Sequence, residues 1–207
     1  NYGKPVLGVI DQCILKERWK GTLQKTTFNG LPCLTDDCTS LNEAMVYATT
    51  PEMFRAGFEA SRFGALSAQV KRALFGADCY AYALVASGFG ADLVVEADLG
   101  LYDYCALVPV VEGAGGKMTD WAGQTLSLRN HQLSRGRVVA AGSSDLHAQA
   151  LKVLGAPDAP PRGVEGLVEP GHDRGLAGRA RHAVHGRNHR AAGCAPKEHP
   201  KSHRQAF

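Results

Sequence analysis

Long apolar runs are missing from this sequence. No stretch reaches the roughly 18 apolar residues that a membrane-spanning helix needs, and the first residues lack the charged-then-apolar pattern of a secretory leader. The first residue is Asn1 rather than methionine, so we expect the start to be missing or processed and any targeting peptide to be lost with it. These absences predict a soluble protein without a membrane segment.

Paired cysteines and a strong net charge are also missing. The six cysteines are scattered and form no CxxC pair, which argues against a zinc finger and is typical of reduced thiols buried in a core. The formal net charge is only +3, which is too small to indicate nucleic acid binding. Basic residues exceed acidic ones after Pro157, so the rest of the chain is close to neutral.

Two regions of different composition follow one another along the chain. Residues 1–154 alternate between strand-like and helix-like hydrophobic periods, which predicts a folded domain. Residues 155–207 are basic, rich in Gly, Pro and His, and contain few large apolar side chains. Such a segment buries too little apolar surface to offset the entropy lost on ordering, so we predict a disordered tail.

The first part of the body predicts a small antiparallel sheet. Short runs at 5–10 and 18–23 have the length of strands, and Asn29-Gly30 is a strong signal for a hairpin turn. The further elements expected as far as residue 74 are a buried strand, a short helix and a longer helix, at 44–49, 52–58 and 62–74.

The second part of the body predicts helices that alternate with strands. Asp78 is the expected N-cap and Gly88 the expected end of one helix. A second helix, capped by Asp103, is expected to kink at Pro109, which has no amide donor. The remaining expected elements are strands at 91–96, 117–119 and 137–141 and a last helix from Ser143 to Leu154. The whole pattern predicts a mixed α/β fold.

Two carboxylates in this part are candidates for chemistry. Glu96 closes a predicted strand and Asp103 opens a helix seven residues later, so the loop between them can turn both side chains towards one cleft. A carboxylate at a helix start is stabilised by free amide donors and by the helix dipole, and it suits a hard cation. The residues alone leave two simpler alternatives open, because Asp103 can be an ordinary N-cap and Glu96 a solvated strand end.

Longer runs of sequence resemble a known family. Residues 101–106, 111–116 and 119–123 are similar to the W-D-x-A-A, E-A-G-G and T-D-x-x-G signature of the inositol monophosphatase superfamily. The sequence around Asp103 looks like the histidinol-phosphatase branch of that superfamily. Further runs that resemble the same branch occur at 6–12, 17–19, 49–54 and 75–80. The resemblance covers residues 3–154.

The resemblance implies a fold and an activity. The implied fold is an incomplete αβαβα sandwich, made of the second α/β half and the end of the first sheet. The implied activity is magnesium-dependent hydrolysis of a small phosphomonoester, with histidinol phosphate as the substrate, in histidine biosynthesis. Asp103 is then the carboxylate that binds Mg²⁺, and Glu96 lines the substrate pocket together with the turn formed by Gly76, Ala77 and Asp78. Ala77 departs from the branch, in which a glycine is usual.

Other parts of the family signature are absent. The G-E-E and D-P-x-D-G-T motifs, which supply the family's other metal ligands, do not occur in the 207 residues. We therefore expect the chain alone to lack significant phosphatase activity and to be poorly soluble or oligomeric. We expect a full-length form to be a homo-oligomer in the plastid stroma or the cytoplasm. Two other functions stay open: hydrolysis of inositol phosphates or other sugar phosphates, and a catalytically dead binding partner.

Overall fold

The structure, a computed structural model, describes residues 3–129 and 131–155. In this part the chain forms two β-sheets and the helices that pack on them. No helix in the described ranges is long and apolar enough to cross a membrane. The tail predicted to be disordered, residues 155–207, lies outside the described residues except for Gly155.

The amino-terminal strands form an antiparallel sheet, here called the meander sheet. Its strands, in spatial order, are β1 (Leu7–Gln12), β2 (Glu17–Thr22), β3 (Thr26–Phe28) and β4 (Leu31–Cys33). Asn29 and Gly30 have φ angles of +48° and +89°, the left-handed conformations that a two-residue type I′ turn requires. The predicted antiparallel meander and its Asn-Gly turn are confirmed.

The remaining strands form a mixed sheet, here called the core sheet. They are β5 (Met45–Ala48), β6 (Arg72–Phe75), β7 (Leu93–Glu96), β8 (Lys117–Thr119) and β9 (Val138–Ala141), in the spatial order β6-β5-β7-β9-β8. β5 runs parallel to β6 and β7, whereas β9 runs antiparallel to β7 and β8. Every residue of β7 and β9 is buried, as expected of central strands that are covered on both faces.

Helices cover both faces of the core sheet. They are α1 (Phe58–Ser67), α2 (Cys79–Ser87), α3 (Leu101–Tyr104), α4 (Leu107–Gly113), α5 (His131–Ser134) and α6 (Ser144–Leu154), with a 3-10 turn at Pro51–Met53. α2 and α4 contact both sheets and therefore lie between them, while α1 and α6 pack together on the opposite face of the core sheet. The order of layers is meander sheet, helices, core sheet, helices, which confirms the predicted layered α/β class.

Glycines let α4 lie directly on the backbone of the meander sheet. A Cβ atom added to Gly8 would lie 1.7 Å from the carbonyl oxygen of Ala106, and one added to Gly21 would lie 2.3 Å from Cα of Val110. The Thr26 hydroxyl also donates a hydrogen bond of 2.7 Å to the Val110 carbonyl. This close contact fixes α4, and with it the preceding helix α3 that carries Asp103.

Two predicted helices in the first half of the chain are wrong in extent. The helix predicted at 62–74 ends at Ser67, and residues 72–75 form β6 instead, because they pair with the parallel strand β5. A pairing between distant residues decides this, and the local hydrophobic period does not show it. The helix predicted at 52–58 is only the 3-10 turn at Pro51–Met53.

The second half follows the prediction more closely, with a correction at the helix that contains Pro109. α2 ends at Gly88, which adopts the left-handed conformation, and Ser143 caps α6 by accepting a hydrogen bond from the Leu146 amide. The helix expected to kink at Pro109 is instead broken between α3 and α4. A proline at 109 cannot donate to the carbonyl of Cys105, and its ring would clash with that carbonyl in a continuous helix.

The cysteines also require a correction. The five cysteines in the described ranges are free, in agreement with the reduced state predicted. Cys13 and Cys79 are exposed, and Cys33, Cys38 and Cys105 are half-buried, so the prediction of fully buried core thiols is wrong for all five. Cys13 and Cys79 lie where a strand or helix meets a turn, which places their short side chains at the surface.

Candidate active site

Glu96 is the last residue of β7, at the centre of the core sheet. Its side chain is only 3% exposed, so it is not a solvated strand end. Oε1 accepts hydrogen bonds from the amide and the hydroxyl of Thr49 at 3.1 and 2.5 Å, and Oε2 accepts one from the Tyr82 hydroxyl at 2.6 Å. Thr49 directly follows β5, the parallel neighbour of β7. Three donors from two neighbouring elements therefore fix the orientation of the Glu96 carboxylate.

Asp103 is the third residue of α3 and does not occupy the N-cap position that the sequence predicts. Gly100 is the N-cap, and its amide donates a hydrogen bond of 2.7 Å to Oδ2 of Asp103. The correction has a simple reason, because an acidic side chain at this position can reach back to the N-cap amide. The side chain is half-buried, and Oδ1 makes no hydrogen bond to any described residue. One carboxylate oxygen is thus available for a ligand.

The turn before α2 carries the other predicted pocket residues. Asp78 occupies the N-cap position of α2, as predicted, but its side chain makes no capping hydrogen bond. Gly76 and Asp78 both have positive φ angles, +93° and +50°, which is unusual for an aspartate and marks a strained turn. Ala77, between them, packs against the core that lies between the two sheets.

The Tyr82 hydroxyl lies within electrostatic reach of all three predicted carboxylates. Burial is the main reason why the pKa of Tyr82 lies well above its usual range, and the charge and hydrogen bond of Glu96 raise the pKa further. The charges of Asp78 and Asp103 act in the same direction. Of the three carboxylates, only Glu96 contacts the Tyr82 hydroxyl directly; Asp78 is exposed, and Asp78 and Asp103 act on the phenol through their charge alone.

Tyr82 and Thr49 are the two hydrogen-bond partners of Glu96 that the sequence analysis does not identify. Tyr82 lies one helical turn after Asp78 on the buried side of α2, and helical spacing could have linked it to that residue. Thr49 comes from a different strand. Thr49 opens the run 49–54 that resembles the family, but only the pairing of β5 with β7 places it beside Glu96.

The described residues do not by themselves fit a complete magnesium site. In the ranges 3–129 and 131–155, no three His, Cys, Asp or Glu side chains are grouped in a way that could hold a metal ion. Mg²⁺ requires oxygen ligands in near-octahedral geometry. The resemblance assigns the metal to Asp103, whose free Oδ1 can supply only one of the ligands that such a site needs.

Comparison with known proteins identifies the family to which this chain belongs. The model of the inositol monophosphatase family matches residues 1–156, and the chain belongs to this family. This agrees with the position of Asp103 and Glu96 in and beside the sequence runs that resemble the family signature.

Individual relatives are similar over the same part of the chain. The chain is 48% identical over 156 residues to the bifunctional phosphatase IMPL2, chloroplastic, of Arabidopsis thaliana, a match that covers 73% of this chain and 44% of that protein. An inositol monophosphatase structure from Zymomonas mobilis matches with a TM-score of 0.68 and 41% identity, over 74% of this chain and 59% of that one.

A more distant structure shows the fold alone. The inositol monophosphatase from Anabaena (Nostoc) sp. PCC 7120 has a TM-score of 0.64 at 24% identity, over 75% of this chain and 61% of that one. In all three comparisons the chain spans only part of the relative, and less than half of the plant phosphatase.

Proposed function

We propose that this chain provides the substrate pocket and one metal ligand of a phosphomonoesterase that acts on histidinol phosphate. The observation that supports the proposal is the buried Glu96 carboxylate, which Thr49 and Tyr82 hold at the carboxyl end of the central strand β7. The charges of Asp78 and Asp103 also act on the Tyr82 hydroxyl that contacts it. Membership of the inositol monophosphatase family supports phosphomonoester hydrolysis as the reaction class.

The charge of the pocket favours a cationic substrate. Histidinol carries an ammonium group and an imidazole in addition to the ester, whereas inositol is a neutral polyol. Complementary charge selects between partners that have similar shapes. A pocket with Glu96 and Asp78 is therefore better suited to histidinol phosphate, and inositol phosphates or other sugar phosphates are the alternative that an assay must separate.

The metal chemistry cannot be completed by the described residues. Mg²⁺, when bound in an enzyme of this class, supplies an activated water and neutralises charge on the phosphate. Asp103 would hold it through Oδ1, but a working site needs carboxylates beyond those in the described ranges. We accordingly expect the 207-residue chain alone to show no turnover above an Asp103→Asn control.

The substrate can be tested by transferring the pocket to a longer relative. In a chimera, residues 1–156 replace the matching segment of the Arabidopsis phosphatase. We expect kcat/KM to be at least about tenfold higher for histidinol phosphate than for inositol 1-phosphate. We expect Glu96→Gln to remove most of that preference, because a buried charge pair is worth about 2–5 kcal/mol.

A matched variant controls for loss of charge. Asp98→Asn also removes a carboxylate close to Glu96 in sequence, but Asp98 is exposed and paired with Arg55. The chimera with this substitution should therefore keep the same preference for histidinol phosphate over inositol 1-phosphate. Faster turnover of inositol 1-phosphate would establish the alternative substrate. Absence of any turnover from a folded chimera would favour the catalytically dead binding partner.

The compartment is a separate part of the proposal. The plant relative bears the name chloroplastic, and this supports the plastid stroma over the cytoplasm. Fractionation of cells that express the full-length protein would distinguish the two.

A further inference from the structure

A second concave surface lies on the meander sheet. A cleft of about 560 Å³ opens at the end of the sheet where the β1–β2 and β3–β4 turns meet. Its volume falls within the range of small-molecule sites, about 300–1,000 Å³. The residues that line it are Asp11, Cys13, Lys16, Arg18, Lys20, Asn29 and Gly30. It shares no lining residue with the candidate active site.

The charges that line the cleft do not cancel. Asp11 and Arg18 are directly opposite each other on β1 and β2 and form two hydrogen bonds, of 2.8 and 3.1 Å. This contact lowers the pKa of Asp11 and raises the pKa of Arg18, so the pair is internally neutralised. Lys20 lies on the same face of β2 as Arg18. Neither Lys16 nor Lys20 forms an ion pair with a carboxylate in the described ranges, and two positive charges remain uncompensated.

The backbone that carries these charges is held in place by Asn29. The side-chain oxygen of Asn29 accepts a hydrogen bond of 2.9 Å from the Arg18 amide, and its nitrogen donates one of 3.1 Å to the carbonyl of Lys16. Lys16 itself has a φ angle of +57°, a left-handed conformation that costs a non-glycine residue about 1–2 kcal/mol. Strained residues that specific contacts hold in place occur often at ligand sites.

We propose that this cleft binds a small dianion that carries a phosphate group, at a site distinct from the candidate active site. Two lysines match the charge of a phosphate dianion, and the Arg18 guanidinium keeps further N–H donors besides the two that contact Asp11. The Asn29 bridge fixes Lys16 relative to Arg18 before any ligand arrives, so little ordering is required on binding. The site does not depend on the proposed hydrolytic function.

The test is an NMR titration of the 207-residue chain with inorganic phosphate and, separately, with glycerol 3-phosphate. The chain carries Leu7→Thr and Val9→Thr, which remove exposed apolar side chains from the open edge strand β1 without changing a residue that lines the cleft, so that association between chains does not cover it. We expect saturable shifts of the amides of Lys16, Arg18 and Asn29 in low salt, and weaker binding at about 200 mM salt because exposed charges are screened. The double variant of Lys16→Gln and Lys20→Gln should lose affinity by about tenfold or more. Binding of phosphate alone identifies free phosphate as sufficient, and binding of the ester alone identifies an organic phosphomonoester as the ligand.

Three further variants complete the test, of which two are controls and one removes the Asn29 bridge. The double variant of Lys71→Gln and Lys152→Gln removes the same charge elsewhere on the surface and should bind as the wild type does. Asn29→Gly keeps every charge and tolerates the positive φ, but it removes the bridge, so a severalfold loss is expected. Asp103→Asn should have no effect, which keeps this site separate from the proposed function.

Several results would overturn the proposal. Shifts that do not saturate in low salt would do so, as would an equal loss of affinity in the two double lysine variants. A loss caused by Asp103→Asn with the cleft lysines intact would assign the binding to the candidate active site instead.

Discussion

His147 is a buried histidine for which no carboxylate partner is found among the described residues. Its side chain is 2% exposed, and Nε2 lies 2.9 Å from the hydroxyl oxygen of Thr119. Burial, and to a smaller extent the charge of Lys117, lowers its pKa from 6.5 to about 4. The folded chain therefore holds His147 in the neutral form at pH values where the unfolded chain protonates it.

This difference predicts a loss of stability in mild acid. Between about pH 4 and 6.5 the unfolded state binds the additional proton, so the free energy of unfolding should rise with pH across this window. The contribution is complete above pH 6.5 and is lost as the pH falls towards 4. A shift of this size corresponds to about 3 kcal/mol.

The measurement is urea denaturation from about pH 4.5 to about pH 7.5, across the window in which linkage acts, for the wild type and for His147→Gln. The glutamine keeps a donor near Thr119 but does not titrate, and all other acidic groups are shared by both proteins. The stability advantage of the wild type should therefore shrink as the pH falls. Two curves that stay parallel would show that His147 does not cause the acid sensitivity.

At the scale of single residues, the sequence predicts candidate carboxylates for a site but not the residues that support them. Asp78, Glu96 and Asp103 are found because they lie at predicted ends of elements and in or beside runs that resemble a family signature. Thr49 and Tyr82 become visible only when β5 is paired with β7 and α2 is packed on the core sheet. The N-cap of α3 is Gly100 rather than Asp103, and the role of Asp103 as a metal ligand stays a prediction.

The contact between α4 and the meander sheet is the element-scale feature on which the site depends. Gly8 and Gly21 allow the helix backbone to touch the sheet, and a Cβ atom added to Gly113 of α4 would lie 2.0 Å from the Thr22 carbonyl oxygen. The obstructing atoms belong to the backbone, so no side-chain rotation can relieve the clash. α3 and Asp103 precede α4 directly and would move with it.

Two glycine substitutions should therefore have opposite effects on stability. Gly21→Ala should lower the free energy of unfolding by about 1–3 kcal/mol or more, because the added carbon forces α4 away from the sheet. Gly64→Ala is the matched control. Gly64 lies in α1, and a Cβ atom added there would meet no other atom within 4 Å, so alanine should raise stability by about 0.5–1 kcal/mol.

Chemical denaturation of both variants checks the pair. If Gly21→Ala were neutral, α4 would have to be free to shift, and the contact would not fix Asp103. The sequence predicts the strands and the helices at either side of this contact. It cannot predict that two glycines in strands face a helix. The absence of a Cβ atom matters only because the helix backbone packs against those positions, and this packing is a tertiary contact.

At the scale of the whole molecule, exposed apolar side chains are concentrated at the amino-terminal end. Those between residues 6 and 34 are Val6, Leu7, Val9, Ile14, Leu15, Leu23, Leu31 and Leu34. β1 is also an edge strand of the meander sheet, without a partner on its outer side in the described ranges. An open edge and an adjoining apolar surface are both features that promote association between chains.

We therefore predict that the 207-residue chain associates at micromolar concentration through the β1 side of the meander sheet. The double variant of Leu7→Thr and Val9→Thr should shift light-scattering masses towards the monomer, because these side chains are 65% and 46% exposed on one face of β1. Leu128→Thr with Leu133→Thr, which are 55% and 82% exposed outside the sheet, is the matched control. Lys20 lies opposite Val9, so like charges oppose the contact and added salt should strengthen association by screening them. A monodisperse wild-type monomer, or association that weakens with salt, would contradict a hydrophobic contact at this edge.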